Sequence, residues 1–229
     1  MKLIGEIFTL ALLRVQVLRW NYLQQKRVQK LFYGNSLFAE LDKSLKKLYR
    51  FNSPFKISKQ FLLRKGEEDI HCYGETPLTT LDLIAKEGRI SENDHFLELG
   101  SGISRGLFFL SSHYGCKATG IEWVPEFVLK SYDISKSYPS LDLSFFLSDM
   151  TKASFEGASF IYLYGTCLPD EVIEALAHKM KKLPSTTKIV TVSYPLSDYL
   201  PSSFHIHKKF EGEFNWGSAE IFIQSPIAL

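Results

Sequence analysis

The strongest constraint on the fold is a short apolar run that ends at a cluster of glycines, "FLELGSGISRGLFFL" at residues 96–110. Such a run is typical of a buried parallel strand. Gly100 and Gly102 allow a tight turn and a close approach of the backbone to a ligand, and Gly106 lets the next helix pack close to the strand. The free N–H groups at the start of that helix face the same ligand. The segment therefore predicts a strand, a ligand-binding loop and a helix in succession.

Acidic residues stand at this loop and at the ends of the next two predicted strands. Glu98 precedes the glycines. Glu122 is the acidic residue near the end of "KATGIEW", and Asp149 lies near the end of "LSFFLSDM". Glu122 follows Gly102 by 20 positions, where a carboxylate accepts ribose hydroxyls, and Asp149 is placed to meet an adenine edge. The third glycine of the dinucleotide pattern is replaced by Arg105. Acidic residues at these positions suit a cofactor that has a ribose and an adenine but no phosphate. S-adenosylmethionine fits this description, and we predict it as the cofactor.

Predicted strands and helices alternate along most of the chain. The strands are 95–99, 117–122, 142–147, 159–164 and 187–194, and the helices between and before them are 78–87, 104–113, 125–135 and 169–182. Such alternation predicts an α/β fold with a doubly wound parallel sheet. After Pro201, "FHIHKKFEGEF" and "SAEIFIQ" predict a C-terminal antiparallel hairpin joined through "NWG". This seven-stranded Rossmann-like sheet resembles that of the class I S-adenosylmethionine-dependent methyltransferases.

Charge divides the chain near residue 66. Residues 1–66 contain 14 Lys and Arg against Glu6, Glu40 and Asp42, a formal charge of +11, whereas residues 67–229 carry −9. We therefore predict a basic helical N-terminal extension, 1–66, and a methyltransferase domain, 67–229. A basic part of this kind meets something anionic. Nucleic acid, an anionic membrane surface, an acidic protein and the chain's own acidic domain are the candidates.

The N-terminal extension is predicted to be helical. Its longest charge-free run near the N-terminus, Ile7 to Leu13, falls far short of the roughly 20 residues that span a bilayer. Docking on a membrane surface and packing on the methyltransferase domain are both open, and a mitochondrial presequence is a third interpretation. A second helix is predicted over 36–49, and its apolar face consists of Leu37, Leu41, Leu45 and Leu48. We expect the extension to dock substrate or an anionic surface and to take no part in cofactor binding.

A closer resemblance is carried by "CYGETPLTTLDLIAKEGRISENDHFLELGSG". The Tyr-Gly-Glu-Thr stretch followed by a helix and the glycine loop resembles the non-SET histone lysine methyltransferases. In that family this loop folds over the methionine end of the cofactor, which implies the same role for Tyr73, Gly74, Glu75 and Thr76. The residues themselves also predict Thr76 as a cap of the following helix, with Pro77 at its first position.

A second resemblance covers "FFLSDMTKASFEGASFIYLYG". It is similar to the small lysine methyltransferases of the mitochondrial inner membrane, which act on the adenine nucleotide translocase and on subunit c of ATP synthase. Tyr164 and Gly165 match their aromatic–glycine pair, where the histone enzymes have two asparagines. Ser104 departs from both families, which usually have a small residue or glycine there. The Asn/Asp-Pro-Pro-Tyr motif is absent, which argues against a nucleic-acid N-methyltransferase.

Lysine methylation needs a neutral amine beside the sulfonium. The reference pKa of lysine is about 10.4, and an apolar, aromatic site lowers it while its ring faces favour the cationic centre. Tyr73, Tyr164 and Trp216 are therefore the predicted residues of the methyl-transfer pocket. The predicted cofactor-binding residues are Tyr73, Gly74, Glu75, Thr76, Glu98, Gly100, Ser101, Gly102, Gly106, Glu122, Trp123, Asp149, Met150 and Tyr164.

Cysteine and histidine predict neither a disulfide framework nor a metal site. Cys72, Cys116 and Cys167 are an odd, widely spaced set, which favours a reducing compartment and hence a cytoplasmic location, with peripheral membrane association as an addition. Cys167 is not part of a Pro-Cys dipeptide such as the base C5-methylases have, which argues against a role of Cys167 as a covalent nucleophile. His205 and His207 alternate on a strand without a third ligand.

Three functions compete on this evidence. The leading hypothesis is a protein-lysine N-methyltransferase acting on a protein substrate. The second is a small-molecule N- or O-methyltransferase that uses the N-terminal helices as a lid. The third is a non-catalytic binding module, against which the intact set of Glu98, Glu122 and Asp149 argues.

Overall fold

The computed structural model describes residues 2–228, and side chains from residue 14 onwards. The helices are α1 (Lys2–Phe32), α2 (Ser36–Leu48), α3 (Pro54–Lys65), α4 (Leu78–Gly88), α5 (Arg105–Tyr114), α6 (Pro125–Ser135) and α7 (Asp170–Met180). The strands are β1 (His95–Leu99), β2 (Lys117–Glu122), β3 (Leu143–Leu147), β4 (Phe160–Leu163), β5 (Lys188–Val192), β6 (Phe204–Phe214) and β7 (Gly217–Pro226). Each predicted core element is present, with bounds that differ by no more than two residues at either end.

The sheet has seven strands in the order β3-β2-β1-β4-β5-β7-β6. Strands β1 to β5 pair in parallel, and β7 pairs antiparallel with both β5 and β6. The predicted doubly wound sheet with a C-terminal hairpin is confirmed. Strand order reverses between β1 and β4, and a crevice opens outside the carboxyl ends of parallel strands at such a point. The topology therefore places the ligand site at the end of β1, beside the glycine loop.

Helices cover the two faces of the sheet unequally. Helices α2, α4, α5 and α6 pack on one face, whereas α7 packs on the other through Ile173, Leu176 and Met180. Residues 148–159, which join β3 to β4, form a loop without a helix. Phe146 on β3 is therefore 54% exposed, because the second face of β2 and β3 carries no helical layer.

The N-terminal helices share a core with the methyltransferase domain. Leu41 and Leu45 of α2 and Phe61 of α3 are buried in one cluster with Phe108 and Phe127. Of the predicted apolar face of α2, Leu37 is half-buried and Leu48 is 39% exposed. These contacts favour packing of α2 on the chain's own domain, while the boundary at residue 66 stays a prediction.

Helix α1 joins the same body through its second half. Val28 and Phe32 are buried in the core against Phe109 and its neighbours, and Arg27 pairs with Glu213 on β6. The side chains of its first twelve residues, 2–13, lie outside the part of the chain that the structure describes. Within residues 2–228, no helix has both the length and the apolar character needed to cross a bilayer.

A buried ion pair fastens α2 to the first turn of α5. Arg105 donates to the Asp42 carboxylate from Nε at 2.7 Å and from Nη2 at 3.1 Å. Lys46 and the Tyr33 hydroxyl also donate to this carboxylate, both at 2.7 Å, and the Asp42 side chain is fully buried. Burial alone raises the pKa of Asp42, but Arg105 and then Lys46 outweigh it and hold the pKa at about 2. Arg105 is therefore not a surface charge of the helix.

Asp42→Asn should lower the free energy of unfolding by about 3 kcal/mol, because the Arg105 guanidinium would stay buried without a counter-charge. The folded pKa of Asp42 is depressed, so its contribution is complete at neutral pH and is lost as the pH falls towards 2. Urea denaturation at pH 7 measures the effect. Glu40→Gln, an exposed position on the same helix, should change stability by less than about 0.5 kcal/mol. Equal losses in the two variants would contradict a special role of the pair.

Candidate cofactor-binding and active site

The glycine loop has the backbone that its sequence predicts. Gly100 and Gly102 adopt left-handed conformations with φ of +80° and +53°, which residues with a side chain adopt only at a cost. A Cβ on Gly106 would lie 2.9 Å from Leu81 and 3.5 Å from the Glu98 carboxylate. Gly106 thus lets the start of α5 approach both α4 and the end of β1.

Ser104 has the same left-handed conformation, with φ of 59°. This explains why the resembled families usually have a small residue or glycine at this position. The side chain of Ser104 is buried, and its hydroxyl accepts from Ser131 Oγ at 3.0 Å. The hydrogen bond to α6 offsets part of the backbone cost, which is on the order of 1–3 kcal/mol.

Glu98 is a buried carboxylate without a complete set of partners. Its Oε2 is buried and has no hydrogen-bond partner in the protein. Burial, followed by the nearby Glu122 and Glu75, raises the pKa of Glu98 to about 8. A buried acceptor that lacks a donor is costly, and a cationic ligand would supply one. The ammonium group at the methionine end of S-adenosylmethionine has the charge and the donors that fit.

Glu122, at the end of β2, is held by three backbone donors. Its Oε2 accepts from Gly102 N at 2.7 Å, and its Oε1 accepts from Trp123 N at 2.7 Å and Val124 N at 2.8 Å. Burial raises the pKa of Glu122, and the three N–H groups oppose that shift. A carboxylate has about four acceptor directions, so one stays open for a ribose hydroxyl. To accept both ribose hydroxyls, Glu122 would have to give up one of its three backbone hydrogen bonds. The contact of Glu122 with the ribose stays a prediction.

Two adjoining cavities at the carboxyl end of the parallel strands collect the predicted cofactor residues. All of them line one or both cavities except Asp149. The Asp149 carboxylate turns back on its own loop, where Oδ1 accepts from the backbone N and the hydroxyl of Thr151, both at 2.8 Å. Its other oxygen lies 3.7 Å from Lys152 Nζ. The contact of Asp149 with an adenine edge therefore remains a prediction.

Residues of α3 also line the larger cavity, which the sequence did not predict. Ser58, Phe61 and Leu62 form one wall, and the ring of Phe61 meets that of Trp123 edge-on at 5.2 Å. Three residues of the N-terminal extension thus line this cavity, and the expectation that residues 1–66 take no part in cofactor binding stays a prediction. Only the spacing of apolar residues in α3 hinted at a buried face, and spacing does not say against what a helix packs.

Thr76 does not cap α4 as predicted. Its Oγ1 is hydrogen-bonded to the buried hydroxyl of Tyr162 at 2.6 Å. Pro77 is the N-cap residue rather than the first helical residue, and the helix start has no side-chain cap. The hydroxyl thus ties the "YGET" segment to β4 instead of to its own helix.

The "YGET" segment covers the glycine loop. The ring of Tyr73 approaches Gly102, where a Cβ would lie 3.1 Å from Tyr73 Cε2. The Tyr73 hydroxyl donates to Glu75 Oε1 at 2.8 Å, and burial, followed by Glu75, raises the pKa of Tyr73 well above its usual range. A Cβ on Gly74 would come within 2.9 Å of Tyr164 Cε1. The segment therefore lies directly between the glycine loop and the aromatic residue after β4.

Tyr164 and Trp216 come together through a residue that the sequence did not single out. Phe214, buried at the end of β6, stacks on Tyr164 at 5.4 Å and on Trp216 at 5.3 Å between ring centroids. Trp216 Nε1 donates to the Tyr164 hydroxyl at 2.7 Å. The three rings form an aromatic ladder that starts in the cofactor cavity and ends at the half-exposed Trp216. Hydrophobic alternation marked Phe214 only as a strand residue.

A cleft of mixed polar and apolar lining adjoins this site. Its outer walls are Trp20 and Asn21 of α1, Phe55 of α3 and Asn215 of the hairpin turn. Its inner wall, formed by Glu75, Thr76 and Arg105, also belongs to the cavity that contains Glu98. We call this the acceptor cleft, because a long side chain entering it would point towards the methionine end of the cofactor cavity.

Cys72 and Cys167 line the larger cavity, whereas the paired histidines line neither cavity. Cys167 Sγ donates to the carbonyl of Cys72 at 3.1 Å, and burial raises the pKa of both thiols. His205 and His207 are exposed on β6. Within the described residues, no group of three or more His, Cys, Asp or Glu side chains is arranged to hold a metal ion.

The model of a protein family, "Histone methylation protein DOT1", matches residues 67–162, which run from just before the "YGET" segment into β4. The "Histone-lysine N-methyltransferase, H3 lysine-79 specific" of Dictyostelium discoideum is 25% identical in an alignment of 178 positions that covers 64% of this chain. The chain spans about 9% of the length of that relative. The resemblance to the non-SET histone lysine methyltransferases is confirmed, whereas the resemblance to the mitochondrial enzymes stays a prediction.

Solved structures agree on the fold. An RNA methyltransferase from Salinibacter ruber, in complex with S-adenosyl-L-homocysteine, has a TM-score of 0.54 at 20% identity and covers 68% of this chain and 95% of its own. The PH0226 protein of Pyrococcus horikoshii has a TM-score of 0.56 at 14% identity, covering 80% of this chain and 99% of its own. These structures show the fold of the chain, and the matching family model supports the predicted class, an S-adenosylmethionine-dependent methyltransferase.

Affinity for S-adenosylmethionine should rise by about tenfold per pH unit between pH 6 and 7. The free chain holds a proton on Glu98, whose pKa is about 8, and pairing with the ligand's ammonium group must release it. In the free chain, the free energy of unfolding should fall as the pH rises from the pKa of Glu98 in the unfolded state towards its folded pKa of about 8. Calorimetry in buffers of different ionisation enthalpy measures the proton release. An unchanged slope in Glu98→Gln would contradict the assignment.

Glu122→Ala should weaken S-adenosylmethionine binding by at least about tenfold, because a charge-assisted hydrogen bond contributes about 1.5–3 kcal/mol. Thermal melting must show that the variant is folded, since three backbone donors lose their acceptor. Glu171→Ala, at an exposed position on α7, is the matched control. Unchanged affinity in folded Glu122→Ala would remove Glu122 from the ribose site.

Proposed function

We propose that this chain is an S-adenosylmethionine-dependent protein-lysine N-methyltransferase. The observation that carries the proposal is the arrangement of the "YGET" segment, which packs between the glycine loop and Tyr164 and matches the histone methylation family over the same residues. Glu98 offers an acceptor for the ammonium group, and Glu122 offers one for the ribose. The sulfonium of the bound cofactor supplies the activated methyl group.

The chain's own residues have to position a neutral amine. The acceptor cleft admits an extended side chain towards Glu75 and Thr76, and its own aromatic walls are Trp20 and Phe55. The ladder of Tyr164, Phe214 and Trp216 adds aromatic surface further in, where Tyr164 lines the cofactor cavities. An aromatic surround disfavours a solvated ammonium ion and so lowers the pKa of an entering lysine. The Trp216–Tyr164 hydrogen bond fixes the ring that closes the pocket. Positioning of this kind contributes most of what the protein adds to methyl transfer.

The partners and the location extend the same proposal. A protein substrate reaches the acceptor cleft between α1 and the hairpin turn, and the basic N-terminal extension contacts an anionic partner. Three free cysteines support action in a reducing compartment, for which we propose the cytoplasm. Separation of soluble and membrane fractions, followed by detection of the full chain, tests the location.

Incubation with labelled S-adenosylmethionine should transfer label to proteins of a cell extract, with N-methyl-lysine recovered after acid hydrolysis. Label confined to the deproteinised fraction would instead establish a small-molecule methyltransferase. Trp216→Phe should lower kcat by about tenfold, because it removes the hydrogen bond to Tyr164 while keeping the stacked ring. Its affinity for the cofactor should be unchanged, since Trp216 lines neither cofactor cavity. A loss of cofactor affinity equal to the loss of rate would contradict the acceptor-side role.

A further inference from the structure

The basic charge of the N-terminal extension is not consumed by the acidic domain. All 13 Lys and Arg between residues 14 and 66 are exposed. Of the two acidic residues in that range, Asp42 is buried and only Glu40 is exposed. Among the described residues, Arg27 pairs with Glu213 and Lys46 with Asp42, and the other eleven have no carboxylate within ion-pair distance. The extension therefore presents a cationic surface to solvent.

Exposed apolar side chains interrupt this surface at the turn between α2 and α3 and along the exposed face of α3. Phe51 at the tip is 91% exposed, Phe55 is 53% exposed and Leu63 is 55% exposed. The Arg50 guanidinium lies 5.5 Å from the centroid of the Phe51 ring. We call this surface the docking turn, and it consists of Lys47, Leu48, Arg50, Phe51, Phe55, Lys56, Lys59 and Leu63.

We propose that the docking turn binds the surface of an anionic lipid bilayer. A bilayer interface offers both components that the docking turn needs, an apolar boundary for Phe51 and Leu48 and negative headgroups for the flanking cations. Nucleic acid would use the cations and could stack on phenyl rings, but it gives no role to Leu48 and Leu63. Aliphatic and aromatic side chains interleaved with Lys and Arg are the pattern of an interfacial segment.

The docking turn adjoins the acceptor cleft. The ring of Phe55 belongs to both, since it walls the cleft and meets the ring of Tyr73 edge-on at 5.0 Å. Binding of the docking turn to a bilayer therefore places the rim of the cleft at the membrane surface, where the substrates would be proteins exposed there. This orientation rests on the proposed function, whereas the lipid binding itself does not.

Cosedimentation of the full chain with lipid vesicles tests the proposal. The vesicles are phosphatidylcholine alone or phosphatidylcholine with about one-third phosphatidylserine, which supplies the negative surface potential. We expect binding to the second kind only, with a loss at 1 M salt, where the Debye length falls to about 3 Å. Phe51→Ala and the double variant Lys47→Glu/Arg50→Glu should each weaken binding by about tenfold, the effect of one lost interfacial side chain or of two reversed charges.

Two matched variants serve as controls on the opposite side of the sheet. Phe146→Ala removes an exposed phenylalanine of β3, and Lys182→Glu reverses an exposed charge after α7. Neither should change vesicle binding, and all variants should bind S-adenosylmethionine as the parent chain does. Absence of binding to phosphatidylserine vesicles at low salt would overturn the proposal. Equal binding of Phe51→Ala and the parent chain would also overturn it, because charge alone would then explain the association. Methylation of extract proteins without vesicle binding would leave the proposed function standing and reject this inference alone.

Discussion

The ion pair of Asp42 and Arg105 joins the N-terminal helices to the cofactor loop, and the site depends on it. Arg105 is the first residue of α5, directly after the glycine loop, and its side chain lines both the cavity of Glu98 and the acceptor cleft. Two of its nitrogens donate to Asp42, so the charge of the guanidinium is paired with a carboxylate of α2. Removing one partner of a buried ion pair leaves an unpaired buried charge, which costs free energy. The pair therefore holds α2 against the start of α5.

This coupling explains why residues of the extension line the candidate cavity. Once α2 is fixed on α5, the short turn after it places α3 over the mouth of the cavity. Phe61 then packs on Trp123, and Phe55 packs on Tyr73. The basic surface and the cofactor cavity are thus two sides of the same pair of helices. A charge boundary at residue 66 is real in the sequence, but it does not separate two independent cores.

Local signals predicted the fold and most of the residues that line the candidate site, whereas they did not reveal long-range contacts. Glycines at 100, 102 and 106 have roles that short-range sterics dictate, and they occur as expected. The Asp42–Arg105 pair spans 63 positions, and no periodicity reveals it, although a carboxylate on the apolar face of α2 was a signal in retrospect. At Thr76 a sound local rule lost to a partner 86 positions away, the Tyr162 hydroxyl. A side-chain hydroxyl can bond to its own helix or to a distant group, and here the tertiary contact forms instead of the local cap.

The charges of the cavity suit the direction of the proposed reaction. Glu75 and Glu122 both raise the pKa of Glu98, so the three carboxylates act as one acidic cluster, and the cation nearest to them, Arg105, is already paired with Asp42. S-adenosylmethionine carries a net positive charge through its sulfonium, whereas the product, S-adenosylhomocysteine, has lost that charge. An acidic, low-dielectric cavity therefore binds the reactant more favourably than the product. Glu98 ionises as the cofactor binds, and the positive charge of the cofactor offsets the repulsion among the carboxylates. Part of that offset is lost when the methyl group is transferred, which favours release of the product.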